Sequence, residues 1–513
     1  MKTWTAVILG FAAFVAAAAT LGGPGPVWDE PFSLAASEAY VGWLANASTS
    51  KDAIDQAWSL NHEHPPLAKV WIGVVRHAVQ TLWPGAGDLS ASRLATALLY
   101  GLLVGLVAAF AWNLGEAGIV AGLFALFMPR LFSDAHFATL DLPMALAWFA
   151  TAYAFAKGIR SRRWAVAAGV IFGLALLTKI NAIFIPVPLV LWAAIFHGRK
   201  AIVPVALLAI GPVIFLAGWP WLWHDTASRL GSYLFGTTLG RAVVPVCYLG
   251  TIYADRYAPW HYPFVLTLLT IPLGTLACAG VGLWRGISRR RAVLTTSTAA
   301  ARLALGREFF ALAALNLAAI LVVAALPFAP KYDGVRLFLA AFPFAACLAG
   351  AGALAVWERL RPKRLTVVAA IVFVALQSAG MLAYHPYQTS YYNLLCGGLP
   401  GAEKLGLEAT YWCDVYSRPV FSAVNGLPAG TRVAFYPVGD FHYQFYQLAG
   451  CVSREIRLVD FRKDEFDYAV LMNRQGILLQ NEKATRLFRE NDAACVLAIE
   501  RMGTTLCVMK RTR

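Results

Sequence analysis

Long apolar runs separated by short polar segments limit what this chain can fold into more than any other feature. The runs lie at about 4–21, 92–112, 117–131, 139–156, 164–178, 182–196, 201–219, 263–284, 308–327, 337–357 and 365–383. They read as membrane-crossing helices, roughly 11 in all. Over the 513 residues, 59% are hydrophobic and 14% charged, with a mean hydropathy of +0.59, which excludes an ordinary soluble protein. The stretches Lys157–Arg163, His197–Lys200, Arg289–Arg291 and Glu358–Arg364 fall in alternate loops, which puts the N-terminus in the cytoplasm and the C-terminus outside. The net charge of +15 lies largely in such loops and not on a basic helix with interleaved aromatics, so nucleic acid is not an expected partner. Residues 1–21 are read as an uncleaved first span rather than a secretory leader, because Asp29 and Glu30 follow closely and would need an anchor.

Two outer loops are long, 22–90 and 220–262. Segments 31–45 and 66–80 have helical apolar spacing and are expected to lie along the membrane interface. From 385 to 513 the pattern changes to short alternating runs such as Arg432–Tyr436 and Tyr468–Met472, with a helix suggested from Lys483 to Arg489. That predicts a small α/β domain outside the membrane, beside a mainly α polytopic module over 1–384. Cys278 and Cys347 lie in apolar spans. Cys247, Cys396, Cys413, Cys451, Cys495 and Cys507 would be free to form disulfides outside, with no pairing implied.

On this topology the unusual polar groups share one side. Asp29, Glu30, Glu63, His64, Asp134, His136, Asp141, Lys179, Lys331, Asp333 and Arg336 all sit at outer span ends or in outer loops. A transporter would more often keep such groups near the midplane of broken helices. An enzyme with one extracytoplasmic site would gather them as seen. The densest stretch is Asn61-His62-Glu63-His64-Pro65-Pro66-Leu67-Ala68-Lys69, where two prolines remove two donors and hold the backbone extended.

Asp29-Glu30 followed by His64-Pro65-Pro66-Leu67-Ala68-Lys69 resembles the first-loop pattern of protein O-mannosyltransferases. It is also similar to lipid A aminoarabinose transferases, in which Glu-Lys-Pro-Pro replaces Glu63-His64-Pro65-Pro66. Both are membrane glycosyltransferases of the GT-C class, near glycosyltransferase family 39. The resemblance implies a GT-C fold in a bacterial inner membrane, moving a sugar from a polyprenyl-phosphate donor to a lipid, glycan or protein acceptor outside the cytoplasm. Such transfer needs a carboxylate base and cations for the leaving phosphate. By the resemblance Asp29 is the catalytic base, and Glu30 is the catalytic neighbour that orients it or substitutes for it. Lys179, Arg336 and, more weakly, Arg93 are the phosphate cations. Glu63, His64, Asp134 and Asp141 brace the loops, with His64 expected to pair with Asp141. Some relatives bind a divalent metal, for which Glu63, His64 and His136 are the candidate ligands, although no spacing demands one. The plainer readings are that Asp29 and Asp141 merely cap helices and that Lys179 snorkels. The rival functions are a flippase of polyprenyl-linked sugars and a non-catalytic envelope protein whose outer domain binds glycan. The chain lacks an inserted β-trefoil and carries His64 where the aminoarabinose enzymes have Lys, so neither a protein acceptor nor lipid A is implied.

Overall fold

The computed structural model describes residues 2–114, 117–288, 297–359, 363–490 and 494–512. The basic run Arg289–Arg291 and residues 360–362 of the 358–364 loop lie outside the described residues.

The chain is mainly helical and ends in a small sheet domain. Each apolar run falls on helical segments, but many of these are broken. Among the described residues three helices are long and apolar enough to cross a membrane: Asp88–Leu114, Gly198–Ala217 and Gly306–Ala325. A fourth stretch, Tyr262–Thr270 with Leu273–Ile287, is bent by 115°. Lys2–Ala18, Ile180–Phe196 and Ala341–Trp357 are apolar but shorter. Helix length and composition therefore support three or four spans and not the expected count of roughly eleven. Proline accounts for part of the difference. Pro272 forces Ile271 into extended backbone (φ −84°, ψ 135°) and breaks its helix. Pro129 opens a separate helix, Pro129–Asp134, so the run at 117–131 yields only Gly118–Leu126.

The first helix, Lys2–Ala18, packs on Asp88–Ala111 through glycines. A Cβ on Gly10 would lie 2.6 Å from the Gly101 carbonyl oxygen, so only small residues allow this approach. The first outer loop folds into three helices, Glu30–Ala45, Lys51–Trp58 and Leu67–Leu82. The outer two are the pair anticipated from the apolar spacing. The second outer loop holds an unanticipated hairpin, β1 (Pro245–Tyr248) with β2 (Thr251–Ala254). Its turn residues Leu249 and Gly250 both have positive φ, the backbone a two-residue hairpin requires.

Five further strands form the C-terminal sheet: β3 (Arg432–Tyr436), β4 (Arg457–Leu458), β5 (Tyr468–Met472), β6 (Cys495–Arg501) and β7 (Thr504–Arg511). Their order is β4-β3-β5-β7-β6, with β3 parallel to β4 and β5, and β7 antiparallel to β5 and β6. Strands β3 and β5 are covered on both faces, which explains their nearly unbroken apolar sequence. Val433, Phe435, Val470 and Met472 join the core that runs through the helical part. Ala434, Tyr436, Ala469 and Leu471 form a second core with Phe461 and Phe466.

The connection into this domain docks on the helices. The Asn393 side-chain amide donates to the carbonyls of Leu268 and Ile271, both at 2.7 Å. Pro272 has no N–H for Leu268, so Asn393 satisfies an acceptor freed by the bend. All eight cysteines are free thiols, so the disulfides the sequence permits are not formed.

A candidate active site between the outer loops and the sheet domain

Asp29 stands immediately before the helix Glu30–Ala45, but its side chain makes no capping bond. The carboxylate instead accepts from Arg336 Nη1 at 2.7 Å. Asp141, in the first turn of Asp141–Gly158, pairs with Lys179 and accepts from Arg336 Nη1 at 3.3 Å. The capping reading thus fits neither aspartate. Lys179 sits in extended backbone between two helical segments, buried on Asp141, so it does not snorkel to solvent.

Arg336 is the hub. It begins a short helical turn after a loop in which Asp333 (φ 53°) and Gly334 (φ 64°) are both left-handed. A Cβ on Gly334 would meet the Tyr411 ring at 2.7 Å, so the residue must be glycine on two counts. The loop turns Asp333 back onto Arg336, which donates to it from Nε at 3.1 Å and Nη2 at 2.8 Å. The rings of Trp412 and Tyr332 lie over the guanidinium at 4.8 and 5.1 Å. Arg474, following β5, reaches Asp333 at 2.8 Å and donates to the Tyr411 carbonyl at 2.9 Å. Three carboxylates, Asp29, Asp141 and Asp333, therefore face three cations, Lys179, Arg336 and Arg474.

Burial raises the Asp29 carboxyl above the usual carboxylate range, and Asp333 and Asp141 add to this, while Arg336 pulls it back. Asp134 lies close enough to feel the same charges. Its Oδ1 is buried with no hydrogen-bond partner among the described residues, and burial pushes its pKa well up.

Asp141, Lys179 and Arg336 are the charged residues that line a cavity of about 290 Å³. The remaining wall is largely apolar, including Phe184, Ile320, Val323 and Leu337. The cavity thus combines charged groups with a largely apolar wall.

Other anticipated residues lie apart from this cluster. Glu30 is fully buried and accepts from Arg93 Nε at 2.8 Å, Arg93 Nη2 at 2.7 Å and the backbone N–H groups of Val27 and Ala138, both at 2.9 Å. Arg93 also donates to the carbonyls of Leu21, Pro24 and Gly25. All five of its N–H groups are engaged, leaving none for a phosphate. The two residues brace the loop that carries Asp29.

His64 does not pair with Asp141, whose carboxylate is taken by Lys179 and Arg336. The His64 Nδ1 is buried without a hydrogen-bond partner among the described residues, and burial, reinforced by the Lys179 and Lys69 charges, lowers its pKa to about 3. A neutral ring gives no charge for Asp141 to hold. Glu63 is exposed. His136 donates from Nδ1 to the Phe132 carbonyl at 2.9 Å, leaving Nε2 to accept from the Thr20 hydroxyl at 2.8 Å. Among the described residues no three His, Cys, Asp or Glu side chains converge as a metal site would require.

Sequence reasoning assigned no role to Lys69, Arg474 or Trp412. Lys69 donates to the carbonyls of Asn61 and His64, at 2.6 and 2.8 Å, and to the Asn61 side chain at 3.1 Å, folding the loop ahead of its own helix. Its place five residues after His64 was a usable signal. Arg474 and Trp412 lie in the C-terminal segment, and nothing local marks them as facing the helices.

Residues 64–224 match the family described as dolichyl-phosphate-mannose-protein mannosyltransferase. No curated protein matches the chain. Among solved structures, ArnT from Cupriavidus metallidurans bound to undecaprenyl phosphate superposes with a TM-score of 0.53 at 18% identity, covering 98% of this chain and 97% of that one. The same protein in the apo state gives 0.53 at 17% identity, with the same coverage. In sequence over residues 64–224, and in fold over nearly its whole length, the chain resembles the GT-C membrane glycosyltransferases.

Proposed function

We propose that this chain is an integral membrane glycosyltransferase that takes a sugar from a polyprenyl-phosphate donor and transfers it, with inversion, to an acceptor outside the cytoplasm. One observation carries the reading. A cavity lined by Lys179 and Arg336 together with many apolar side chains suits a lipid phosphate, and Asp29 stands on Arg336 at 2.7 Å. The undecaprenyl phosphate bound by ArnT, on the same fold, supports a donor of that class.

In this mechanism the acceptor hydroxyl oxygen attacks the anomeric carbon while its proton passes to the Asp29 carboxylate. The bond from that carbon to the phosphate oxygen breaks, and its electron pair leaves with the polyprenyl phosphate. Arg336 and Lys179 hold the phosphate where that charge develops. The sheet domain lies on the outer side of the membrane with the site beneath it.

A radiolabelled undecaprenyl-phosphate sugar, offered to the purified full-length chain with a membrane extract as acceptor source, tests the reaction. Label moving to a product, or released as free sugar, supports a transferase. Movement of intact donor across proteoliposomes with no bond broken would support a flippase instead.

A further inference from the structure

Arg336 poses a problem of charge. It is shared by Asp29, Asp141 and Asp333, yet the reading above asks it to hold a phosphate as well. An anion added to three carboxylates and three cations leaves a surplus of negative charge, costly in a buried site. The carboxylates are not equally placed to absorb it. Asp141 has a second cation in Lys179, and Asp333 has one in Arg474. Among the described residues Asp29 pairs with Arg336 alone.

We propose that Arg474 is a positioning residue: by neutralising Asp333 it lets Arg336 turn to the donor phosphate, and that turn releases Asp29 as the base. The inference rests on the proposed function and deepens it. Arg474 is suited to the role by rigidity. It is buried, its Nη1 is anchored on the Tyr411 carbonyl at 2.9 Å, and its Nη2 stands 2.8 Å from Asp333 Oδ1 as a charge contact without hydrogen-bond geometry. The next residue but one in its chain, Gly476, donates to Glu408 at 3.1 Å, which fixes the backbone that carries it. Trp412, two residues from the Glu408–Thr410 segment, covers the face of Arg336. The sheet domain thus supplies both a cation and a ring to the site in the helical part. When phosphate takes Arg336, Asp333 keeps Arg474, Asp141 shares Lys179 with the phosphate, and Asp29 alone is left without a cation. The base is then freed only when a donor is present, which disfavours proton abstraction in an empty site.

The test is binding of undecaprenyl phosphate to the full-length protein in detergent. Arg474→Gln should weaken binding by about tenfold, because Asp333 then competes for Arg336 with full charge. Asp333→Asn in the Arg474→Gln background should restore most of that loss, and Arg474→Lys should retain part of the wild-type affinity. A residue that merely docked the domain would not be rescued by removing the Asp333 charge. Wild-type affinity in Arg474→Gln, or failure of Asp333→Asn to restore it, overturns the inference. Should Arg474→Gln not fold, Asp333→Asn alone decides, since it should bind the lipid phosphate at least as tightly as wild type, and weaker binding counts against the proposal. No binding by the wild-type chain would instead overturn the proposed function itself.

Discussion

Asp29 and Arg336 meet at 2.7 Å although 307 positions separate them along the chain. The contact joins the start of the helix Glu30–Ala45 to the short turn Arg336–Phe338 that precedes Ala341–Trp357, and everything else in the site is arranged around it. Asp29 is the most exposed of the three carboxylates, with 31% of its side chain accessible against 2% for Asp141 and 6% for Asp333. A base must reach its substrate, so this difference supports the role proposed for Asp29.

Asp29→Asn should lower transfer by about 10²–10⁴-fold, the usual share of a general base, while undecaprenyl phosphate still binds. Turnover near wild type in a variant with unchanged thermal stability would remove Asp29 from the chemistry.

Glu30 and Arg93 should behave differently. Breaking a fully buried pair by removing one partner costs about 3–5 kcal/mol, because an uncompensated charge remains. Glu30→Ala is therefore expected to lower the Tm sharply and reduce the yield of folded protein. Loss of activity in a Glu30→Gln variant that keeps the wild-type Tm would place Glu30 in the reaction after all.

Much of this was legible in the sequence, and the rest was hidden for physical reasons. Each apolar run becomes helix, and Arg432–Tyr436 and Tyr468–Met472 become β3 and β5, because side-chain periodicity is local and both segments obey it. Of the eleven polar groups expected on one side, Asp29, Asp141, Lys179, Asp333 and Arg336 meet in ion pairs, while Glu30, Glu63 and His136 lie apart. Pairing is not local, however. His64 and Lys179 are both basic residues near Asp141, and only three-dimensional burial decides that His64 is neutral and Lys179 is the partner. Arg93 could have served a phosphate or a carboxylate, and the loop carbonyls that consume its donors leave no sequence mark.

The sheet domain carries a pH-dependent term of its own. Glu408 accepts from the N–H groups of Cys247 and Gly476, at 3.3 and 3.1 Å, tying β1 to the turn after Arg474. Burial raises its pKa to about 7, with the nearby Arg474 opposing the rise. The folded state thus holds this proton more tightly than the unfolded chain. Its contribution to stability is complete below the ordinary glutamate pKa and is lost as pH rises through about 7. Glu408→Gln keeps an acceptor oxygen and removes the titration. Its Tm relative to wild type should therefore be higher at pH 8 than at pH 5. A difference that does not change with pH would mean that folding does not raise the Glu408 pKa.

Energetic coupling to Asp141 should follow its ion pairs. The structure gives it Lys179 and Arg336, and gives His64 no hydrogen bond to it. Direct ion pairs in a buried site depend on both partners, so their losses do not add. In a double-mutant cycle on undecaprenyl phosphate binding, Asp141→Asn and Lys179→Gln should show a coupling of about 1–3 kcal/mol. Either single change leaves a charge without its partner, and the double change removes both. Asp141→Asn with His64→Asn should add to within about 0.5 kcal/mol, the scatter expected of residues sharing no contact. Thermal unfolding of the three single and two double variants supplies an independent readout of the same two cycles, free of any ligand. Additive losses at 141 and 179 would dissolve the ion pair on which this site is built. Strong coupling between 64 and 141 would instead show that His64 is charged and paired in solution.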